Sequence, residues 1–402
     1  MPDIKNFLKS HQIETYLLIF LPILWISITG VFEHSPFSIL LGKKGNLLSW
    51  SFFFGGHLIK KGFAFFYLYL YFRVALWLSY LVRTKLFHEQ APPSFSLKSF
   101  LLSFCYFTIA IGLGDLLLVV TLKQLSLSSS QNEMIAASQF YMSLDRYIFG
   151  FDPQIWIQRF SDSQTLDFLL IQSYRRLPIF FAFVFFGLLF FNKQNFRKLL
   201  IAIFLSPLIA LPFWYALPAV TPNEMYRQNM FDLPSITATQ QEYKEAMTSS
   251  DLKAYLKLVE RHIENPKQKH PLVSTNPSMH VCWGIIVTYF AILLWWPLAF
   301  IFVPWLIFNI FATLYTVQHY FVDLPPGLVC AIFVIFTTNY LLKLEKKYYV
   351  GNYAPLYFID IIQEDTQRIK IWCQTRLQKI GVVRWIFIRG KTPSEFPQDP
   401  CS

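Results

Sequence analysis

The chain has 402 residues, 54% of them hydrophobic and 19% aromatic, and only 15% charged. An ordinary soluble domain carries roughly a quarter charged residues, so a water-soluble globular enzyme is excluded as the main body of the protein. The net charge of +11 falls between and after the apolar runs, where it suits anionic lipid headgroups on the cytoplasmic side, and nucleic acid is not expected as a partner. Cys105, Cys282, Cys330, Cys373 and Cys401 are scattered without metal-ligand spacing, so neither a disulfide framework nor a zinc site is expected.

Because a bilayer core takes roughly 20 apolar residues per helix and forbids irregular backbone facing lipid, the apolar runs must be helices. In chain order they fall at 15–32, 63–82, 100–122, 177–191, 199–217, 280–298, 299–318 and 325–342. The fold class expected is therefore all-α, a polytopic bundle of about eight transmembrane helices. The first run follows Lys5 and Lys9 like a signal peptide, yet no small-residue cleavage site closes it, so it reads as a retained span. The span at 177–191 admits an earlier start near Phe168, which would carry Arg175 and Arg176 into the interface. The spans on either side of Trp296-Pro297 have almost no loop between them and should be antiparallel neighbours.

Lysines and arginines in short loops favour the cytoplasm. Lys193, Arg197 and Lys198 mark one such loop, and Lys343, Lys346 and Lys347 mark the start of a cytoplasmic tail. This places both termini inside, with Lys43, Lys44, Lys60 and Lys61 as exceptions in the first pair of spans. The chain divides into N-terminal spans (1–98), a main membrane domain (99–342) with outer loops at 123–176 and 218–279, and a basic tail (343–402). In the second outer loop, Ser250-Asp251-Leu252 precedes apolar positions at Tyr255, Leu256, Leu258, Val259 and Ile263. This is the pattern of a capped amphipathic helix, read either as a lid or as a surface helix packed on its neighbours. Asp115 in the third span must face the bundle interior, as a structural hydrogen-bond partner rather than a catalytic group. The tail, with Trp372, Arg384, Trp385, Arg389 and Lys391, suits anionic lipid or plain solvation equally.

Two stretches put ionisable residues at span ends on one outer face. In Asn276-Pro277-Ser278-Met279-His280, Ser278 suits a helix start whose unpaired N–H groups attract phosphate, and His280 in the first turn is placed to protonate a departing oxygen. In His319-Tyr320-Phe321-Val322-Asp323-Leu324-Pro325-Pro326-Gly327, the prolines fit the first turn of the last span and leave Asp323 near its N-cap. A carboxylate on one imidazole nitrogen fixes the tautomer and frees the other nitrogen to attack phosphorus, so His319 is the expected nucleophile with Asp323 as its orienting partner. Arg175, Arg176 and Arg227 fall on the same face and suit either substrate phosphate or headgroup anchoring. The residues thus suit a metal-independent phosphoryl-transfer site on the outer face, with no cofactor expected. A lipid transporter, for which Asp115 and the arginines would line a path, and an inactive scaffold are the competing classes.

Pro277-Ser278-Met279-His280 and His319-Tyr320-Phe321-Val322-Asp323 with Gly327 resemble the second and third signatures of the type 2 phosphatidic acid phosphatase superfamily. Within it, Asp145-Arg146-Tyr147-Ile148-Phe149-Gly150 and the His-Tyr-Phe-Val-Asp stretch resemble the branch containing inositol phosphorylceramide synthases. The resemblance spans roughly 110–342 and implies a phosphatidic-acid-phosphatase-like catalytic core at 99–342. It also implies a phosphohistidine on His319, Asp323 as its orienting group, His280 as the acid, and no metal. The chain departs from the superfamily pattern at Ala312-Thr313, where many members carry Ser-Arg, and Leu217-Pro218-Ala219-Val220-Thr221-Pro222 resembles the proline-bearing segment of the synthase branch. The branch implies transfer to an alcohol acceptor, whereas the superfamily at large also implies hydrolysis with water as acceptor.

Overall fold

A computed structural model describes residues 129–159, 163–226, 237–247, 249–263, 276–348 and 359–364, with single positions at 105, 366, 367 and 371. Every regular element among the described residues is helical. The predicted spans at 15–32, 63–82 and 100–122, Asp115, and the basic side chains of the tail lie outside them, as does Arg227.

The first helix, α1 (Gln131–Phe149), starts at a capping box in which Ser130 and Glu133 satisfy each other's backbone N–H, and it ends at Gly150 with φ 76°. That left-handed turn favours glycine, and it swings the chain into α2 (Pro153–Arg159). Next come α3 (Gln164–Arg175) and α4 (Leu177–Phe191), which meet at a 50° bend and together have the length and apolarity of one broken span. The earlier start near Phe168 thus corresponds to a separate, tilted helix. The following helix, α5 (Lys193–Ala216), begins six residues before the apolar run because the Asn192 side chain caps it at Asn195 N–H.

Three elements follow that do not span: α6 (Pro222–Tyr226), α7 (Thr237–Ala246) and α8 (Ser250–Ile263). The amphipathic reading of α8 holds, since Leu252, Tyr255 and Leu256 bury themselves against Leu170 and Ile171 of α3. The last three major helices are α9 (Met279–Leu294), α10 (Ala299–Tyr315) and α11 (Leu324–Tyr348). A short 3-10 turn at Trp296–Leu298 joins the first two, as antiparallel neighbours require, and another at Phe321–Asp323 leads into α11. By length and composition, three described helices can cross a membrane and the α3–α4 pair makes a fourth. The fold is an all-α membrane bundle.

The central helix is α9, packed by α4, α5, α10 and α11. Its Cys282, Ile286, Val287, Phe290 and Ala291 are buried in the main core. Gly284 sets the spacing to α10, because a Cβ there would come within 3.0 Å of Asn309 Nδ2 and of Leu306. Side chains such as Phe300 and Phe311 on α10, and Val329 and Phe336 on α11, are exposed, as lipid contact requires. At one end of the bundle Arg197 of α5 makes a two-pronged ion pair with Glu345 of α11, at 2.7 and 2.8 Å, and Lys193 pairs with Asp360. At the opposite end α9 begins, α10 finishes and α11 begins.

Candidate active site

The two predicted histidine stretches meet at that second end, and a set of short-range constraints shapes each. After α10, Val317 has a φ of 56°. For a β-branched residue this left-handed conformation is strained. It is held by Val317 N–H donating to the Leu314 carbonyl (2.9 Å), Gln318 N–H to the Thr313 carbonyl (3.1 Å), and Asn223 N–H to the Val317 carbonyl (3.0 Å). The reversal ends α10 earlier than the apolar run suggests and presents His319 at the bundle end.

Within the next turn, Tyr320 N–H donates to Asp323 Oδ2 at 3.0 Å, and His319 Nδ1 lies 3.6 Å from the same oxygen. Asp323 is fully buried and His319 is 6% exposed. With Nδ1 facing the carboxylate, Asp323 sets the orientation of the His319 ring. Tyr320 anchors the turn at depth by donating its hydroxyl to the Val220 carbonyl (3.0 Å), and its ring stacks on Tyr141 of α1 at 5.7 Å.

Ser278 is the N-cap of α9, its hydroxyl accepting from Val281 N–H at 3.4 Å. Its own N–H donates to the Asp323 carbonyl at 3.1 Å, so the backbones of the two stretches are tied directly. Ser278 is fully buried, and its hydroxyl is engaged in this cap. Gly327 permits the approach, since a Cβ there would lie 2.6 Å from the Ser278 carbonyl oxygen. His280 follows in the first turn of α9, its ring 6.3 Å from that of His319 and tilted by 57°.

His280 is held flat by Tyr174 of α3, with ring centroids 3.9 Å apart and planes 8° from parallel. Tyr174 meets Tyr255 of α8 edge-on at 6.2 Å, and the Arg175 guanidinium lies 6.0 Å over the Tyr255 ring. Arg175 therefore stands at the rim, linked to His280 through two aromatic rings. Arg176 is exposed and its Nε donates to Gln172 along α3 at 3.0 Å, so the structure does not bring it to the histidines. Arg227, the third predicted phosphate ligand, is outside the described residues.

Sequence reasoning overlooked four contributors. Tyr174 and Asn309 support His280 from its face and its backbone, Asn309 Nδ2 donating to the His280 carbonyl at 3.4 Å. Asn309 carried a usable signal as a lone amide in the apolar run of α10. The other two, Asp145 and Gln154, belong to the α1–α2 corner. Asp145 accepts from Phe321 N–H (2.9 Å), Val322 N–H (3.0 Å) and Gln154 Nε2 (2.7 Å). Burial pushes its carboxyl up to about 6, against the pull of these three donors and with a further push from Asp323.

The profile of the PAP2 superfamily matches residues 141–337, a stretch that contains His280, His319, Asp323 and Asp145. No curated protein and no solved structure matches the chain. The family match supports an integral membrane protein of the lipid phosphatase or phosphotransferase type.

Proposed function

We propose that this chain, whose 141–337 segment is similar to the PAP2 superfamily, is a metal-independent membrane phosphotransferase. It moves a phosphoryl or phospho-headgroup group from a lipid donor through a phosphohistidine on His319. The observation that carries this reading is the convergence of His280, His319 and Asp323, from two helix ends and the turn between spans, at 6.3 Å between rings and 3.6 Å from imidazole to carboxylate.

In the first half-reaction His319 Nε2 attacks phosphorus, the bond from phosphorus to the donor oxygen breaks, and His280 gives that oxygen a proton. Asp323 compensates the charge that develops on the His319 ring. In the second, an acceptor hydroxyl gives its proton to His280 and attacks phosphorus, and the phosphorus–nitrogen bond breaks. Substrate phosphate would lie at the start of α9, where the N–H groups of the first turn point outward, with Arg175 at the rim. The stretches from Asp145 to Gly150 and from His319 to Asp323 resemble the inositol phosphorylceramide synthase branch, which favours an alcohol acceptor. Water as acceptor gives the phosphatase reading. The positive-inside rule applied to Lys193, Arg197 and Lys198 puts the opposite, site-bearing end on the extracytoplasmic face.

The test is headgroup or phosphate release from lipid phosphates and phospholipids in vesicles with chelator, comparing wild type with His319→Ala. Activity that survives chelator, disappears in the variant and is accompanied by an acid-labile phosphoenzyme supports the reading. Product analysis with and without added alcohols separates transfer from hydrolysis. Equal activity in the variant removes His319 as nucleophile.

A further inference from the structure

Asp145 is a fully buried carboxylate on α1. Its neighbour Arg146 is taken up by Asp152 across the α1–α2 corner, at 3.0 and 2.8 Å. Asp145 instead reaches the middle of the 3-10 turn at Phe321–Asp323, where Oδ2 accepts from Phe321 N–H and Oδ1 from Val322 N–H. The first amides of such a turn have no partner within it. A carboxylate placed across two of them forms charge-assisted bonds roughly twice as strong as neutral ones.

We propose that Asp145 is a positioning residue for the phosphoryl-transfer site, clamping the backbone between His319 and Asp323 so that imidazole and carboxylate keep their register. This rests on the reading of His319 as nucleophile. The clamp acts through the turn, since its recorded bonds go to Phe321, Val322 and Gln154. Asparagine cannot replace it, because Phe321 N–H and Val322 N–H go to different carboxylate oxygens, so either orientation of an amide sets its NH₂ against one of these two donors.

The surroundings also give the clamp a protonation dependence. Gln154 faces Asp145 from α2, Asp323 and Tyr320 from the turn, and Tyr226 from α6, the last three coupled to it by charge. Gln154 Oε1 is buried without a partner, so a half-turn of that amide would let it accept from a protonated Asp145. Protonation thus weakens the two bonds to the turn without leaving the new O–H unpaired, and the site loosens rather than unfolds.

The experiment uses the full chain in lipid nanodiscs, comparing wild type, Asp145→Asn, Asp145→Ala and His319→Ala, with Glu242→Gln of the exposed Arg159–Glu242 pair as a surface control. A misplacement on the ångström scale should lower kcat about 10- to 100-fold with KM changed by less than about threefold. Amide hydrogen exchange in a peptide covering 319–324 should accelerate in both Asp145 variants and stay at the wild-type rate in His319→Ala. The acid limb of the kcat profile should lose one proton's worth of slope in Asp145→Asn. Unchanged exchange and unchanged kcat in Asp145→Asn overturn the clamp. Should the Asp145 variants fail to fold, exchange of the same peptide in wild type on either side of pH 6, corrected for intrinsic rate, decides: no change in protection overturns the proposal. If instead His319→Ala retains activity, the phosphohistidine reading fails, while the exchange data still report on the clamp.

Discussion

The two ends of the bundle handle charge in opposite ways. At the end where α5 begins and α11 finishes, Arg197 and Glu345 cancel each other, with side chains only 15% and 9% exposed, and Lys193 pairs with Asp360. At the other end Asp145 and Asp323 are both fully buried, and among the described residues no lysine or arginine pairs with either. Backbone N–H groups, a glutamine and a histidine hold them instead. An ion pair is electrostatically spent. A carboxylate held by amides has no countercharge beside it, and in the proposed mechanism Asp323 supplies its charge to an imidazole that becomes positive during reaction. The difference is the one expected if the first end only has to stay closed and the second carries the proposed phosphoryl-transfer site.

The largest expected break in this contrast is His319→Ala. On the proposed phosphohistidine mechanism this variant should lower turnover by at least about 1,000-fold, with thermal unfolding in detergent close to wild type. At the closed end the effects should reverse. Arg197→Ala takes the guanidinium away from both oxygens of the mostly buried Glu345 carboxylate, which should destabilise the protein by up to about 3 kcal/mol and leave kcat per folded molecule unchanged. A denaturation midpoint and a specific activity measured on the same preparation check both. If Arg197→Ala lowers kcat as strongly as it lowers stability, the two ends are coupled and the contrast is wrong.

Asp145 gives a pH test in which stability and activity move in opposite directions. Its folded value is raised from 3.8 to about 6, so the fold favours the protonated form. The stabilisation from this group is complete below the unfolded value and is lost as pH rises from about 4 to about 6, on the order of 3 kcal/mol by linkage. The clamp works best ionised, so activity should rise over the upper part of the same interval. Stability curves of wild type and Asp145→Asn at pH 4.5 and 7 should therefore converge at the lower pH and separate at the higher one. Parallel curves would mean that Asp145 does not titrate there.

How much of this was legible follows from the range of each constraint. The spans from residue 177 onward were readable because lipid solvation acts on every residue of a run, and the structure has helices at all five. Their ends were less so: Asn192 lengthens α5 through a side-chain cap, and Val317 shortens α10 through a backbone reversal held by Asn223, far away in sequence. Both histidine stretches announced themselves because ionisable residues at span ends are few. Asp145 stood out only as the first residue of a stretch resembling the synthase branch, with no role attached, since its bonds reach 176 and 177 residues along the chain. Tyr174 was hidden for the same reason, one aromatic among 19%.

The smallest effect sharpens the contrast at its most economical point. Val317 occupies a left-handed conformation with φ 56° and is fully buried. Glycine adopts that conformation without a Cβ penalty, so Val317→Gly relieves about 1 kcal/mol or more of strain. Against this stand the greater entropy of an unfolded glycine and the loss of a buried side chain, roughly 1–2 kcal/mol together. The net change in stability should therefore be within about 1 kcal/mol of zero. Activity should fall a few-fold nonetheless, because the residue two positions before His319 gains backbone freedom that valine denies it. A melting temperature within a few degrees of wild type, combined with lower kcat, would show that the site end invests strain in placement. A large loss of stability would show instead that Val317 matters there as packing, and its φ angle would carry no functional weight.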